Sequence, residues 1–386
     1  MVLPYRRAGD SSTPRLSGGG ERLRPDKPGL PSAKRPGGLE LLDDGHRLIW
    51  QPATWFRGGF AMAFFLALIF FIGCVVLALA WFTALTARRV EAMLPPRGRF
   101  MDIDGQRIHY TDTGGSGPAV VLIHGLAGNM LNFNYTMPEK LAADFRVIAV
   151  DRPGSGYSTR PDDASATLAA QAATLATLFR QLELGRAILV GHSLGGALSL
   201  ALALDHPDCV GGLALIAPLT HTVEKAPTEF NGLLIRSRVW RKIVAWTVAT
   251  PGGILGGAKL LAFAFAPDVP PADFSTRGGG LLGLRPSNFY AASSDIVAVE
   301  DVLPGYMARY HALRIPMAML YGRGDHLLDF RAQGEAMVEK NPALELELLE
   351  GGHMLPVTVP DRCVAIVRRV ADRMKEAHIS RAQDAF

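Results

Sequence analysis

A glycine-flanked serine constrains the fold of this chain more than any other feature. Residues 187–190 (Ala-Ile-Leu-Val) form a continuous apolar run, which is typical of a strand buried on both faces. Residues 191–196 then read Gly-His-Ser-Leu-Gly-Gly, and a helical pattern follows. Small residues at a sharp strand-to-helix turn hold the serine between them out of the sheet, at a helix N-terminus. The pattern therefore predicts an α/β architecture that presents Ser193 as a nucleophile.

The rest of residues 100–378 continues this alternation of strand and helix patterns. Helical patterns occupy residues 168–182 and 194–205, whereas residues 343–349 alternate as an edge strand would. Residues 101–110 are expected to form an antiparallel hairpin in front. Further runs have the length and composition of buried strands: 119–123, 147–150, 213–216 and 317–320. Such alternation predicts a mostly parallel sheet with helices on both faces.

Two more reactive side chains directly follow predicted strands. Asp325 follows the strand at 317–320, and His353 follows the run at 343–349. Catalytic groups of such sheets gather at the carboxyl ends of the strands, and the chain order Ser, Asp, His suits a triad on this architecture. A hydroxyl is a poor nucleophile, so His353 would take its proton while Asp325 orients the imidazole. Asp329 is the alternative acid, although it lies farther from the strand end.

The segment after the strand at 119–123 is a candidate oxyanion site. It reads His124-Gly125-Leu126, and a tight glycine turn there would aim the Leu126 amide at the space above Ser193. The Leu194 amide would be the second donor. His124 has two interpretations, a base or a structural side chain under the site. We favour the structural one, because a histidine beside the oxyanion site cannot satisfy the triad geometry.

These motifs together resemble the α/β-hydrolase superfamily over residues 100–378. The matching segments are residues 124–125, 151–158 (Asp-Arg-Pro-Gly-Ser-Gly-Tyr-Ser), 191–196, 322–325 and 352–353. Within that superfamily the chain is similar to serine esterases and monoacylglycerol-lipase-like enzymes, some of which carry an N-terminal membrane anchor. The resemblance implies hydrolysis of small-molecule or lipid esters through an acyl-enzyme on Ser193. It implies no metal and no organic cofactor.

Other activities on the same fold remain open alternatives. They are a cofactor-free perhydrolase of the haloperoxidase-like group, a C–C bond hydrolase and an acyltransferase. A catalytically silent binding module is a different class of protein, and the ordered triad argues against it. Serine rather than aspartate at position 193 argues against the haloalkane dehalogenase and epoxide hydrolase branches.

Residues 219–311 interrupt the alternation, and the resemblance places a cap over the active site there. Aromatic and aliphatic side chains at 240–265 are mixed with Arg236, Arg238, Arg241, Lys242 and Lys259. An amphipathic helix of this composition suits a cap that covers the pocket, and it also suits contact with a membrane surface.

The N-terminal region differs in composition. Residues 1–57 are rich in Gly, Pro, Ser and Arg, which predicts a disordered basic tail. Residues 58–85 contain no charge, and about 20 apolar helical residues cross a bilayer. We therefore expect a single transmembrane helix that attaches the enzyme to a membrane. A buried core helix and a cleaved signal peptide are the alternatives, but the first would show a polar stripe and the second has a shorter apolar core.

Charge gives conflicting indications about membrane orientation. The tail holds ten Arg and Lys residues, whereas near the helix Arg88, Arg89, Arg97 and Arg99 outnumber Arg47 and Arg57. We lean towards a non-cytoplasmic catalytic domain, since a long basic tail is hard to translocate. The formal net charge of +4 does not suggest a nucleic-acid partner. The three cysteines are far apart, which argues against a disulfide framework or a structural zinc site.

Overall fold

A computed structural model describes residues 55–223 and 227–383 of the chain. Nearly all of the predicted tail, residues 1–57, lies outside the described residues. The chain divides into two units, residues 1–69 and residues 70–386. Everything below about packing concerns the second unit.

The first helix is longer than the predicted span. Helix α1 comprises Trp55–Met93 and includes residues 58–85. It is long and apolar enough to cross a membrane. The helix continues past residue 85 because residues 86–93 contain neither glycine nor proline, and Pro95 and Pro96 follow its end.

The connection between α1 and the first strand is consequently short. Only residues 94–98 separate α1 from β1. The last turns of α1 pack against the domain, where Thr83 and Val90 are buried. The Glu91 carboxylate lies 2.9 Å from Nε of Arg285, and the Tyr157 hydroxyl donates to the Leu94 carbonyl.

The domain is built on one eight-stranded sheet, as the alternation predicted. The strand order is β1-β2-β4-β3-β5-β6-β7-β8. Strands β1 and β2 are antiparallel to their neighbours, and all later pairs are parallel. The strands are β1 Arg99–Ile103, β2 Gln106–Asp112, β3 Ala119–Ile123, β4 Arg146–Val150, β5 Ala187–His192, β6 Val210–Ile216, β7 Met317–Gly322 and β8 Glu345–Leu349. The predicted hairpin and the predicted edge position of the last strand are both confirmed.

Helices cover both faces of this sheet. In β3, Val121 and Ile123 join a core with α3 and α4, whereas Val120 and Leu122 join a second core with α2 and α10. Because side chains alternate along a strand and both faces are covered, the central strands are apolar throughout. The remaining helices are α2 Met137–Leu141, α3 Leu168–Gln181, α4 Leu194–Asp205, α5 Arg238–Trp246, α6 Ala249–Phe265, α7 Pro286–Met307, α8 Ala336–Lys340, α9 Leu355–Thr358 and α10 Pro360–Gln383.

Helices α5, α6 and α7 lie between β6 and β7, in the interval where we expected the cap. A buried ion cluster joins α7 to the loop after β4. Asp295 of α7 accepts from Nη1 of Arg152 at 2.7 Å and from Nη1 of Arg160 at 2.8 Å. All three side chains are at most 5% exposed. Since breaking one member of a buried ion pair is costly, this cluster fixes α7 against the loop after β4.

Candidate active site

Ser193 lies in the strained turn between β5 and α4. Its backbone has φ 53° and ψ −123°, a region that non-glycine residues rarely adopt. The turn is held by the neighbouring strand, because the Ser193 amide donates to the Ile216 carbonyl at 3.1 Å. A Cβ at Gly195 would lie 2.1 Å from the Ile123 carbonyl oxygen, so only glycine fits there. The surrounding structure therefore maintains the strain that presents the serine.

His353 and Asp325 form a buried pair. Nδ1 of His353 lies 2.7 Å from Oδ2 of Asp325, and their side chains are 4% and 0% exposed. The other carboxylate oxygen, Oδ1, accepts from the amides of Leu327 and Leu328 at 2.8 and 3.0 Å. Burial alone would raise the pKa of Asp325, but the charge and hydrogen bond of His353 and the two amides outweigh it. The pKa of Asp325 is therefore lowered, and its carboxylate stays ionised.

Asp329 has different partners. It is exposed, and its Oδ1 accepts from the amides of Arg331 and Ala332. Of the two candidate acids, the structure places Asp325 rather than Asp329 against His353.

The loop that carries His353 is joined directly to the serine turn. Nε2 of His192 donates to the His353 carbonyl at 3.0 Å, and the two imidazole rings lie 4.9 Å apart. Burial, together with the charge of His353, lowers the pKa of His192 to about 3, so His192 remains neutral. Sequence reasoning assigned no role to this residue, because the motif by itself does not show where the side chain points.

The Gly125–Leu126 peptide lies beside Ser193. A Cβ at Gly125 would be 2.8 Å from Cβ of Ser193 and 3.3 Å from its Oγ. Leu194 is the first residue of α4, so its amide has no acceptor within the helix. The two candidate oxyanion donors, Leu126 and Leu194, thus belong to segments that adjoin Ser193. Donors placed in this way can stabilise negative charge on a bound carbonyl oxygen.

His124 supports the oxyanion segment from below. It is fully buried; its Nδ1 donates to the Gly125 carbonyl at 2.8 Å, and its Nε2 accepts from the Arg152 amide at 3.0 Å. Burial, followed by the nearby charge of Arg152, lowers the pKa of His124 to about 4. Both ring nitrogens are occupied, which agrees with the structural interpretation and leaves none to act as a base.

Arg152 is a second supporting residue that sequence reasoning missed. Its Nε donates to the His124 carbonyl at 3.0 Å and its Nη2 to the Gly125 carbonyl at 3.1 Å. The same guanidinium binds Asp295 of α7. The only signal in the sequence was its position in the 151–158 segment, which resembles the corresponding segment of the α/β-hydrolase superfamily.

Metal ligation is not indicated by the described residues. Within residues 55–223 and 227–383, no group of three or more His, Cys, Asp or Glu side chains could hold a metal ion. The chemistry that this arrangement can perform is nucleophilic attack with proton transfer and stabilisation of an oxyanion.

The family to which this protein belongs follows from its fold and from comparison with known sequences. The model of the α/β-hydrolase fold family matches residues 118–358. The chain belongs to this family.

The proteins that are similar in sequence to this chain have names that specify different activities, or none. An uncharacterised protein of Mycobacterium tuberculosis (strain ATCC 25618 / H37Rv) is 38% identical over 76% of this chain and 87% of its own length. A 2-hydroxy-6-oxononadienedioate/2-hydroxy-6-oxononatrienedioate hydrolase of Burkholderia vietnamiensis is 29% identical over 58% of this chain and 76% of its own. The acetyltransferase component of the acetoin cleaving system of Cupriavidus necator is 37% identical over 31% of this chain, and the match spans only 32% of its length.

Among solved structures, a bacterial membrane phospholipase A is similar over 82% of this chain and 99% of its own. Its TM-score is 0.56 and its sequence identity is 23%. At that identity the likeness shows the fold.

Proposed function

We propose that this protein is a membrane-anchored serine hydrolase that cleaves carboxylic esters. The observation that carries the proposal is the buried pair of His353 and Asp325, whose Nδ1 and Oδ2 lie 2.7 Å apart. The loop of His353 is hydrogen-bonded to His192, next to the strained residue Ser193. An imidazole oriented by an ionised carboxylate next to a presented serine is the arrangement that activates a hydroxyl.

In the proposed mechanism, Oγ of Ser193 attacks the ester carbonyl carbon while His353 takes the hydroxyl proton. The amides of Leu126 and Leu194 stabilise the resulting oxyanion. When the tetrahedral intermediate collapses, His353 returns the proton to the leaving alcohol, and an acyl-enzyme remains on Ser193. His353 then deprotonates a water that attacks the acyl carbonyl carbon, and as the bond to Oγ of Ser193 breaks, His353 returns the proton to that Oγ and the acid is released. Asp325 stays ionised throughout and holds the imidazole in the required tautomer.

The proposed anchor is α1, and the monoacylglycerol-lipase-like branch is the proposed subgroup. Support comes from the exposed apolar side chains of α1, among them Phe70, Leu77 and Trp81, which are 73%, 70% and 67% exposed. The similar bacterial structure is named as a membrane phospholipase A. On the proposed topology, the catalytic domain lies on the non-cytoplasmic side, as the basic tail predicts.

The test of this function is a series of esters of increasing acyl length, measured in detergent micelles. We expect acyl esters of medium length and monoacylglycerols to be hydrolysed faster than acetate esters, because the proposed anchor and apolar cap suit lipophilic substrates. A fluorophosphonate probe should label the protein at Ser193, which mass spectrometry of the labelled peptide can verify. Absence of labelling in folded protein would favour a silent binding module.

Removing the apolar part of α1 should separate the two substrate classes. The deletion should cover residues 1–78, because Thr83, Val90 and Glu91 contact the domain. We expect hydrolysis of an ester embedded in vesicles to fall, while hydrolysis of a soluble short-chain ester is retained. A site held at the bilayer meets embedded esters at high effective concentration, so the loss needs no change at the site. An equal loss of hydrolysis on both substrates would point to damaged folding. If neither rate falls, the anchor serves only to localise the enzyme and does not aid access to embedded esters.

A C–C bond hydrolase on the same residues is the second candidate. It is favoured by the similarity to the Burkholderia vietnamiensis hydrolase, whose name specifies a dicarboxylic oxo-dienoate substrate. Assaying 2-hydroxy-6-oxononadienedioate beside the ester series discriminates the two candidates. Turnover of this compound with no turnover of any ester would select the C–C bond hydrolase.

A further inference from the structure

The cap presents apolar side chains to the outside. Among the described residues beyond α1, the exposed large hydrophobic side chains lie between residues 234 and 269, apart from Val223 and Ile379. We call six of them the cap apolar face: Val239, Ile243 and Trp246 on α5, and Ile254, Leu255 and Leu260 on α6. Large apolar side chains exposed on two consecutive helices mark an interaction surface.

Helix α5 is amphipathic, but its apolar side faces out of the protein, which is the reverse of the usual arrangement in water. Val239, Ile243 and Trp246 recur at i, i+4 and i+7 and are 69%, 41% and 43% exposed. The opposite side carries Arg241 and Ala245, which are the buried residues of the helix.

Arg241 is buried among polar partners of the cap. Its Nε and Nη1 each donate to a serine hydroxyl of α7, those of Ser293 and Ser294, at 3.0 Å. Its Nη2 donates to the Ile235 carbonyl at 2.6 Å. Enclosing a guanidinium while leaving valine, isoleucine and tryptophan outside is unfavourable in water, and it is favourable where the outside is hydrocarbon.

Helix α6 is apolar and exposed along most of its length. Lys259 is its only charged residue, and only Thr250 and Phe265 of its 17 residues are buried. Leu255 is 87% exposed. Helices α5 and α6 meet at an angle of 74° and are together apolar enough to pass as a broken membrane span.

The end of α1 lies near the start of α6. Glu91 binds Arg285, and the carbonyl of the preceding Leu284 accepts from Oγ1 of Thr250, at the start of α6, at 2.9 Å. A bilayer that contains the exposed apolar side chains of α1 between Phe70 and Phe82 would therefore lie near α6. Residues 230–267 contain no acidic residue, whereas Arg236, Arg238, Lys242 and Lys259 are exposed. Arg236 and Lys242 also form exposed ion pairs, with Glu300 and Asp162. Cationic side chains beside tryptophans suit the phosphate-rich interface of a bilayer.

The other end of α6 reaches the loop of the catalytic histidine. Phe265 packs with Met354, the residue after His353. A Cβ at Gly352 would lie 2.3 Å from the Ala266 carbonyl oxygen, and the Gly352 amide donates to Asp268 at 2.8 Å. Helix α6 thus runs from the cap apolar face to the site.

We propose that the cap apolar face docks onto the surface of a phospholipid bilayer, so that α6 leads from the lipid to Ser193 and His353. The inference rests on the proposed membrane attachment and assigns the cap a second contact with the same bilayer. A lipid ester could then reach the site along α6 without crossing water.

The tryptophans of the chain allow a direct test. There are five, and Trp240 and Trp246 are the two in the cap. The full chain carrying Trp50→Phe, Trp55→Phe and Trp81→Phe is reconstituted into vesicles of phosphatidylcholine and phosphatidylglycerol, with or without brominated acyl chains. An interfacial helix buries its apolar face about 5–10 Å into the acyl boundary, so we expect bromine to quench the fluorescence at least about twofold.

Two variants serve as controls. In the same background, Leu255→Asp should weaken the quenching, whereas Ile379→Asp, at another exposed isoleucine on α10, should not. With Trp240→Phe and Trp246→Phe added, a tryptophan introduced by Ile379→Trp should remain unquenched. Leu255 and Ile379 are both exposed, so we expect the variants to fold. Circular dichroism of each variant verifies the fold.

Unquenched cap tryptophans in folded, reconstituted protein would overturn the proposal. A dimer in detergent that Leu255→Asp converts to a monomer would assign the surface to a second copy of the chain instead. Because quenching requires no catalysis, its failure is distinguishable from failure of the ester-hydrolase proposal, which depends on turnover and probe labelling.

Discussion

Replacing Ser193 with alanine is expected to lower ester turnover by about 10⁴-fold or more, because no other group in the site can form the acyl-enzyme. The alanine variant should also lose fluorophosphonate labelling. Ser193 is a half-buried residue in a turn whose shape is set by glycines and by the neighbouring strand, so the fold should persist. Initial rates on a soluble ester, with circular dichroism of both proteins, provide the measurement.

The matched control is Ser165→Ala, at an exposed serine before α3. It should retain wild-type turnover and labelling. If Ser193→Ala kept even a tenth of the wild-type rate, the nucleophile would have to be another residue, and the proposed mechanism would be wrong.

Replacing Asp325 with asparagine is expected to lower turnover by about 10³–10⁴-fold, since the amide favours the wrong tautomer of His353. The loss should appear in kcat, because Asp325 contacts His353 and not the substrate. Its carboxylate is buried and accepts three hydrogen bonds, from His353, Leu327 and Leu328, so the variant should also be less stable. Thermal melting measured beside the kinetics separates the two effects.

Asp329→Asn is the control for the acid. Asp329 is exposed and accepts only from nearby amides, so its replacement should change turnover little. A large loss for Asp329→Asn with a mild one for Asp325→Asn would transfer the acid role to Asp329.

The strands and the candidate triad were predictable from the sequence for one physical reason. A parallel strand covered on both faces must be apolar throughout, so its limits are visible as a short continuous run. The polar residues that follow such runs must then lie at the carboxyl edge of the sheet. Asp325 and His353 were therefore expected near Ser193, and the structure places them on adjoining loops.

Contacts between distant segments could not be predicted in the same way. His192 was visible within its motif, but its hydrogen bond to the His353 carbonyl depends on a loop 161 residues away. Arg152 meets Asp295 across 143 residues, and neither position has a local pattern that specifies the other. The extension of α1 to Met93 was missed because the expected end was drawn from loss of apolarity, whereas helix propensity continues to the prolines.

Helix α5 illustrates the division between sequence and tertiary structure most clearly. The sequence alone determined that α5 is amphipathic, because helical periodicity specifies which residues share a side. It could not determine which side faces the protein. Only the tertiary structure decided this, by placing Ser293 and Ser294 of α7 where they accept from Arg241 and leaving Val239, Ile243 and Trp246 outside. Local periodicity fixes relative position around a helix, whereas burial depends on the partner that the rest of the chain supplies.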